Sequence, residues 1–161
     1  MKKQTVFAAV ALLALAVTAA AENPEKDVDA VLTALHTAAS EANGELYFSL
    51  FTADAVFMGT DATERWSLDD FKAFAEPYFS KGRGWTYTKT ERNIFFSADG
   101  KTAWFDEMLS NENYGTCRGT GVLVLSDRGW RFTQYNLTIP IPNDLARDFA
   151  EKIKELEIQS E

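Results

Sequence analysis

The chain has 161 residues, 16 Lys and Arg against 24 Asp and Glu, a net charge of −8, one cysteine and one histidine. Such acidity argues against nucleic acid or an anionic membrane surface as a partner. One cysteine excludes an internal disulfide, and one histidine beside it argues against a transition-metal site, so neither a metal nor a cofactor is expected.

Residues 1–21 read as a secretory signal peptide. The basic "MKK" precedes an apolar run from Thr5 to Val17, and "TAAAE" supplies the small residues a signal peptidase needs. The run is shorter than the about 20 residues of a membrane-spanning helix. The expectation is cleavage after Ala20 or Ala21, no stable membrane anchor afterwards, and a periplasmic or secreted bacterial protein. Residues 22–143 are enough for one domain with a real core. Twelve Phe, five Tyr and four Trp can line a pocket as well as fill that core.

Asn23 and Pro24 make a helix start, and Val28, Val31, Leu32 and Leu35 follow with helical spacing. The expected stop is "ANG", with Gly44 in the left-handed conformation. A short helix spans about Glu45 to Phe51. "AVFMG" reads as a strand and "GTDATERW" as a loop. "SLDDFKAFAEPYF" reads as a helix capped by Ser67, with Asp70 at the third helical position and Pro77 kinking or ending it. From Trp85 the period changes to two. "WTYTKTERNIFF", "TAWFDEMLS", "TCRGTGVLVL" and "WRFTQYNLTI" are strands joined by short turns, an antiparallel meander. After "PIPND", residues 144–161 form an amphipathic helix through Leu145, Phe149, Ile153 and Leu156. The class is α+β.

"LYFSLFTADAVFMGTDATERW", "AWFDEML" and "CRGTGVLVL…WRFTQYNLTIPIPND" together resemble the SnoaL-like branch of the nuclear-transport-factor-2-like and ketosteroid-isomerase-like superfamily, over about Val28 to Asp144. The resemblance implies a cone: a strongly curved antiparallel sheet wrapped around three helices, with a cavity at the open end and an extra C-terminal helix here. It also implies homodimers. The superfamily holds isomerases, cyclases, dehydratases and hydrolases, and also binding and scaffold domains without chemistry, so the fold alone does not decide function.

Asp106 and Glu107 are adjacent on one strand and point to opposite faces. Glu107 shares the parity of Ala103, Phe105 and Leu109, an apolar face, where a desolvated carboxylate suits a general base. Its alternative role is an ion pair with Arg118 on the next strand, and the two are predicted neighbours. Asp61, in the Gly-Thr-Asp loop, is the second candidate catalytic carboxylate; its alternative role is to cap its own turn. Trp130, Phe132, Gln134, Asn136 and Thr138 share a parity, which makes Gln134 and Asn136 candidate ligand contacts. Tyr47, Phe57, Trp66, Trp85 and Trp104 are candidate cavity walls, with Arg118 as a candidate partner for a ligand's negative end. His36 sits at the edge of the first helix's apolar stripe. Cys117 reads as a small buried residue, although Arg118 beside it would lower a thiol pKa. Gly119 and Gly121 are read as points where the strand bends.

The expected function is that of an exported protein binding a small, mostly apolar ligand in the cone. Two alternatives stand beside it: an isomerase- or cyclase-like enzyme with a cavity carboxylate as base, and a dimeric interaction or assembly domain.

Overall fold

The computed structural model describes residues 23–159; the signal peptide read at 1–21 lies outside them. Helix α1 is Pro24–Ser40, α2 Gly44–Ser49 and α3 Leu68–Phe79; strands are β1 Phe51–Met58, β2 Arg65–Ser67, β3 Thr88–Phe96, β4 Thr102–Asn111, β5 Gly115–Ser126 and β6 Gly129–Thr138; helix α4 is Asn143–Gln159. One curved, unclosed sheet carries all six strands in the order β2-β1-β6-β5-β4-β3. Neighbours are antiparallel except β1 and β6, which run parallel.

Side-chain caps fix the helix starts. Asn23 accepts from the Lys26 N–H, and Asn43 from the Leu46 N–H. Ser67 accepts from Asp70 N–H and donates to the Asp70 carboxylate, an acidic capping box. Two expectations shift at helix ends. Ala42, at φ 53°, takes the left-handed position expected of Gly44, and Gly44 instead opens α2. Pro77 sits inside the last turn of α3, which continues to Phe79.

The core lies between the concave face of the sheet and helices α1 to α3. Val28, Leu32, Leu35, Ala38 and Ala39 bury one face of α1. They meet Ala103, Phe105 and Leu109 of β4, Cys117 and Leu123 of β5, and Trp130, Phe132, Tyr135 and Leu137 of β6. Helix α4 has no buried residue and leaves Leu145, Phe149 and Ile153 exposed.

A bulge decides what the last strand shows to the interior. Leu123 pairs with Phe132, but Val122 pairs with Gln134, so Thr133 is an extra residue on β6. Period-two alternation slips there. Trp130 and Phe132 point inward before it, Tyr135 and Leu137 after it. Gln134, Asn136 and Thr138, expected on the inner face, therefore lie on the outer one.

Candidate functional site

Two charged side chains of one pair are buried, Glu107 at 0 % and Arg92 at 3 % side-chain exposure. Glu107 sits on β4 with Phe105 and Leu109, and Asp106 faces out and accepts from Asn93 (3.0 Å). Glu107 pairs directly with Arg92 of β3 on one side and Gly119 of β5 on the other. Arg92 donates to Oε2 from Nε (2.9 Å) and from Nη2 (2.7 Å). The other oxygen, Oε1, accepts from His36 Nε2 at 2.8 Å and from the Tyr135 hydroxyl at 3.2 Å. Arg92 continues outward to Asp29 (2.7 Å), which also takes Lys89 (3.2 Å).

This environment sets the protonation states. Burial works to raise the Glu107 pKa, but the His36 hydrogen bond, the charges of His36 and Arg92 and the Arg92 hydrogen bond outweigh it, and the carboxyl is held below its ordinary value. Glu107 is therefore a carboxylate that only accepts, which places a His36 proton on Nε2. Burial first, and then the Glu107 charge, push the Tyr135 phenol well up.

Gly119 makes room for this network. A Cβ there would stand 2.6 Å from the Tyr135 hydroxyl and 2.8 Å from Glu107 Oε1. At Gly121 a Cβ would run into the Gln134 carbonyl and stand 2.8 Å from the Phe105 ring. Both glycines are thus required by close approach.

Arg118 is not part of the network. It pairs with Met108, faces the opposite side of the sheet from Glu107, and is exposed. The expected Arg118–Glu107 pair is replaced by Arg92–Glu107, because adjacent residues on β5 alternate faces and Gly119 holds the position opposite Glu107. Cys117, on the inner face, is separated from Arg118 by the same alternation, and burial raises its thiol pKa.

Beside the network the concave face opens into an aromatic cleft of about 200 Å³. Phe57, Trp66, Phe71, Phe74, Trp85 and Tyr87 wall it, and Thr60 and Glu64 bring polar groups to its edge. A column of near-parallel rings runs from a smaller inner cavity into its wall. Tyr135 stacks on Phe57 (13° between planes), Phe57 on Phe71 (16°, centroids 3.8 Å apart), Phe71 on Trp66 (10°) and Trp66 on Phe74 (23°). The inner cavity, of about 20 Å³, adjoins the cleft and is lined by His36, Tyr47 and Tyr135 together with Phe57, Trp85, Tyr87 and Leu137, which line both.

Phe57, Trp66 and Trp85 line the cleft, and Tyr47 lines the inner cavity. Trp104 lines neither: it lies on the outer face, 45 % exposed and stacked on Phe95. Asp61 does not line the cleft. It sits in an exposed turn, accepting from the Thr63 N–H (2.8 Å) and hydroxyl (2.6 Å), which hold its carboxyl below the ordinary range. Arg92, Tyr87 and Tyr135 belong to the candidate site but are missed by sequence reading. Arg92 carried a signal, since it shares the parity of Ile94 and Phe96, an apolar face. Among the described residues, no cluster of three His, Cys, Asp or Glu side chains is arranged to hold a metal ion.

Curved sheet, helices and adjoining cavities define a protein of the nuclear-transport-factor-2-like class. The chain belongs to the SnoaL-like domain family, whose pattern matches residues 28–142. A search of curated protein sequences finds no match. Among solved structures, the chain is similar to a candidate dehydratase of the NTF2-like family from Streptomyces avermitilis, with 13 % identity, a TM-score of 0.62, and coverage of 73 % of this chain and 96 % of that one. It is also similar to an NTF2-like protein of unknown function from Pseudomonas putida KT2440, with 10 % identity, a TM-score of 0.62, and coverage of 74 % and 88 %. A candidate scytalone dehydratase from Novosphingobium aromaticivorans gives 14 % identity, a TM-score of 0.60, and coverage of 73 % and 84 %. At these identities the likeness is one of fold.

Proposed function

We propose that this is an exported binding protein for a small, flat, mostly apolar ligand that lodges in the aromatic cleft. The observation that carries the reading is the ring column from Tyr135 to Phe74, whose planes diverge by no more than 23° between stacked neighbours along that path. Trp66 and Phe74 of that column reach the cleft, so a planar ligand can extend the stacking. Aromatic pairs contribute about 0.5–1.5 kcal/mol beyond the area they bury. Glu107 supports binding over turnover: four hydrogen bonds occupy it, and its lowered pKa makes it a poor base.

The test is native mass spectrometry of the protein isolated from its source, with tryptophan fluorescence titration against naphthalene as a model planar ligand. Binding that weakens at least tenfold in Trp66→Ala supports the reading. A protein that carries no small molecule and does not respond to naphthalene refutes it. N-terminal sequencing of the isolated protein checks export, which requires a mature start near Glu22. Light scattering checks the homodimer that the resemblance implies.

One observation favours an enzyme as the second reading. A carboxylate fixes the His36 tautomer, as in catalytic triads, and His36 lines the inner cavity. His36, and not Glu107, is then the acid–base group, with Glu107 and Arg92 as positioning residues. The likeness to candidate dehydratases fits this reading without deciding it.

A further inference from the structure

We propose that the ligand of the aromatic cleft is a neutral ring compound bearing a hydroxyl group, and that the hydroxyl enters the inner cavity beside His36 and Tyr135. This inference rests on the cleft reading above and names the chemistry of the ligand's buried end.

The inner cavity is about 20 Å³, and its rim is shared with the cleft through Phe57, Trp85, Tyr87 and Leu137. A single oxygen-sized group needs roughly 10–15 Å³. One such group fits while the ring it belongs to stays in the cleft.

The lining determines what that group must do. Both His36 Nε2 and the Tyr135 hydroxyl spend their proton on Glu107 Oε1, because an ionised carboxylate can only accept. Tyr135 is left with an oxygen lone pair that can only accept. Tyr47 and Tyr87 also line the cavity, and their hydroxyls rotate to donate. The lining therefore calls for a group that donates to one neighbour and accepts from another. A hydroxyl does both, whereas a ketone or ether oxygen only accepts.

Charge disfavours a carboxylate: Glu107, held by the His36 and Tyr135 that line the cavity, places a negative charge behind that lining, and a second anion close to it is repelled. Burial, together with nearby Cys117, Tyr114 and Glu64, pushes the Tyr87 pKa up to about 12, so that phenol stays neutral and keeps its donor.

The experiment is a tryptophan fluorescence titration of the full chain at neutral pH with naphthalene, 2-naphthol, 2-methoxynaphthalene and 2-naphthoate. The expected order has 2-naphthol at least tenfold tighter than naphthalene and 2-methoxynaphthalene, with 2-naphthoate weakest. Tyr47→Phe and Tyr87→Phe, each checked for folding by circular dichroism, should each cut the ratio of 2-naphthol to naphthalene affinity at least threefold. Equal binding of 2-naphthol and 2-methoxynaphthalene overturns the inference and leaves the cleft reading standing. So does tightest binding of 2-naphthoate, or an advantage untouched in both variants. Failure of all four compounds to bind overturns both.

Discussion

Arg92 and Glu107 face each other across the β3–β4 ladder, and the Arg92 Nε and Nη2 groups both donate to one carboxylate oxygen, Oε2. Oε1 is thereby left to the interior, where His36 and Tyr135 share it. One buried carboxylate thus joins the surface chain Arg92–Asp29–Lys89 to the cavity lining. Breaking such a pair from one side leaves an uncompensated buried charge, which costs about 3–5 kcal/mol. Arg92→Met is expected to destabilise the fold by that amount in urea unfolding at pH 7. The double variant with Glu107→Leu should recover more than half of the loss. An additive double variant would show that the two residues are not coupled.

The same carboxylate predicts acid sensitivity. The Glu107 carboxyl is held below its ordinary value of 4.5, and Asp29, paired with Arg92 and Lys89, below 3.8. A depressed folded-state pKa means that the contribution is complete above the ordinary value and is lost as pH falls through the lower, folded-state one. The urea midpoint should be flat in this respect above about pH 5 and drop steeply below it. Glu107→Gln should flatten that drop. A variant as acid-sensitive as the parent would assign the effect to other carboxylates.

Gly119→Ala forces a methyl group against the Tyr135 hydroxyl and Glu107 Oε1, both under 3.0 Å from the Cβ position. Overpacking of this kind costs about 1–3 kcal/mol. Tyr135→Phe removes the nearer atom, so the double variant should be less destabilised than the sum of the two single ones. Thermal unfolding of the four proteins measures the difference.

Removal of residues 143–161 should leave the domain's stability within about 0.5 kcal/mol, because α4 buries none of its side chains. A loss of several kcal/mol would mean that α4 is covered in solution, and light scattering of the shortened chain would then show whether a second copy covers it.

Most of the fold was legible because long apolar periods and caps are local signals. Val28, Leu32 and Leu35 mark the buried face of α1, and Ser67 with Asp70 marks the start of α3. The site was legible in part. Glu107 stood out as a charge on an apolar parity, and Phe57, Trp66 and Trp85 as walls. Its partner did not, because Arg118 and Arg92 both lie on strands adjacent to β4, and only the register separates them. Tyr135 was hidden by the extra residue at Thr133, since parity counted from Trp130 gives the wrong face beyond a bulge that has no marker in "WRFTQYNLT". Trp104 misled because a large aromatic on a strand reads as core, whereas here it stacks on Phe95 in the open.

The parallel pairing of β1 with β6 has a kinetic consequence. Phe51 meets Phe132 roughly 80 residues along the chain, whereas β3 to β6 are joined by short turns, and distant pairings close slowly. The meander carrying Arg92, Glu107 and Tyr135 can assemble from neighbouring hairpins. Phe57 and Trp66 reach the cleft only when β1, with β2 at its edge, docks against β6. In a stopped-flow refolding experiment the Arg92–Glu107 pair should therefore form ahead of the ligand site, and naphthalene binding should lag behind the recovery of sheet signal. Simultaneous recovery would mean that β1 is already in place when the meander closes.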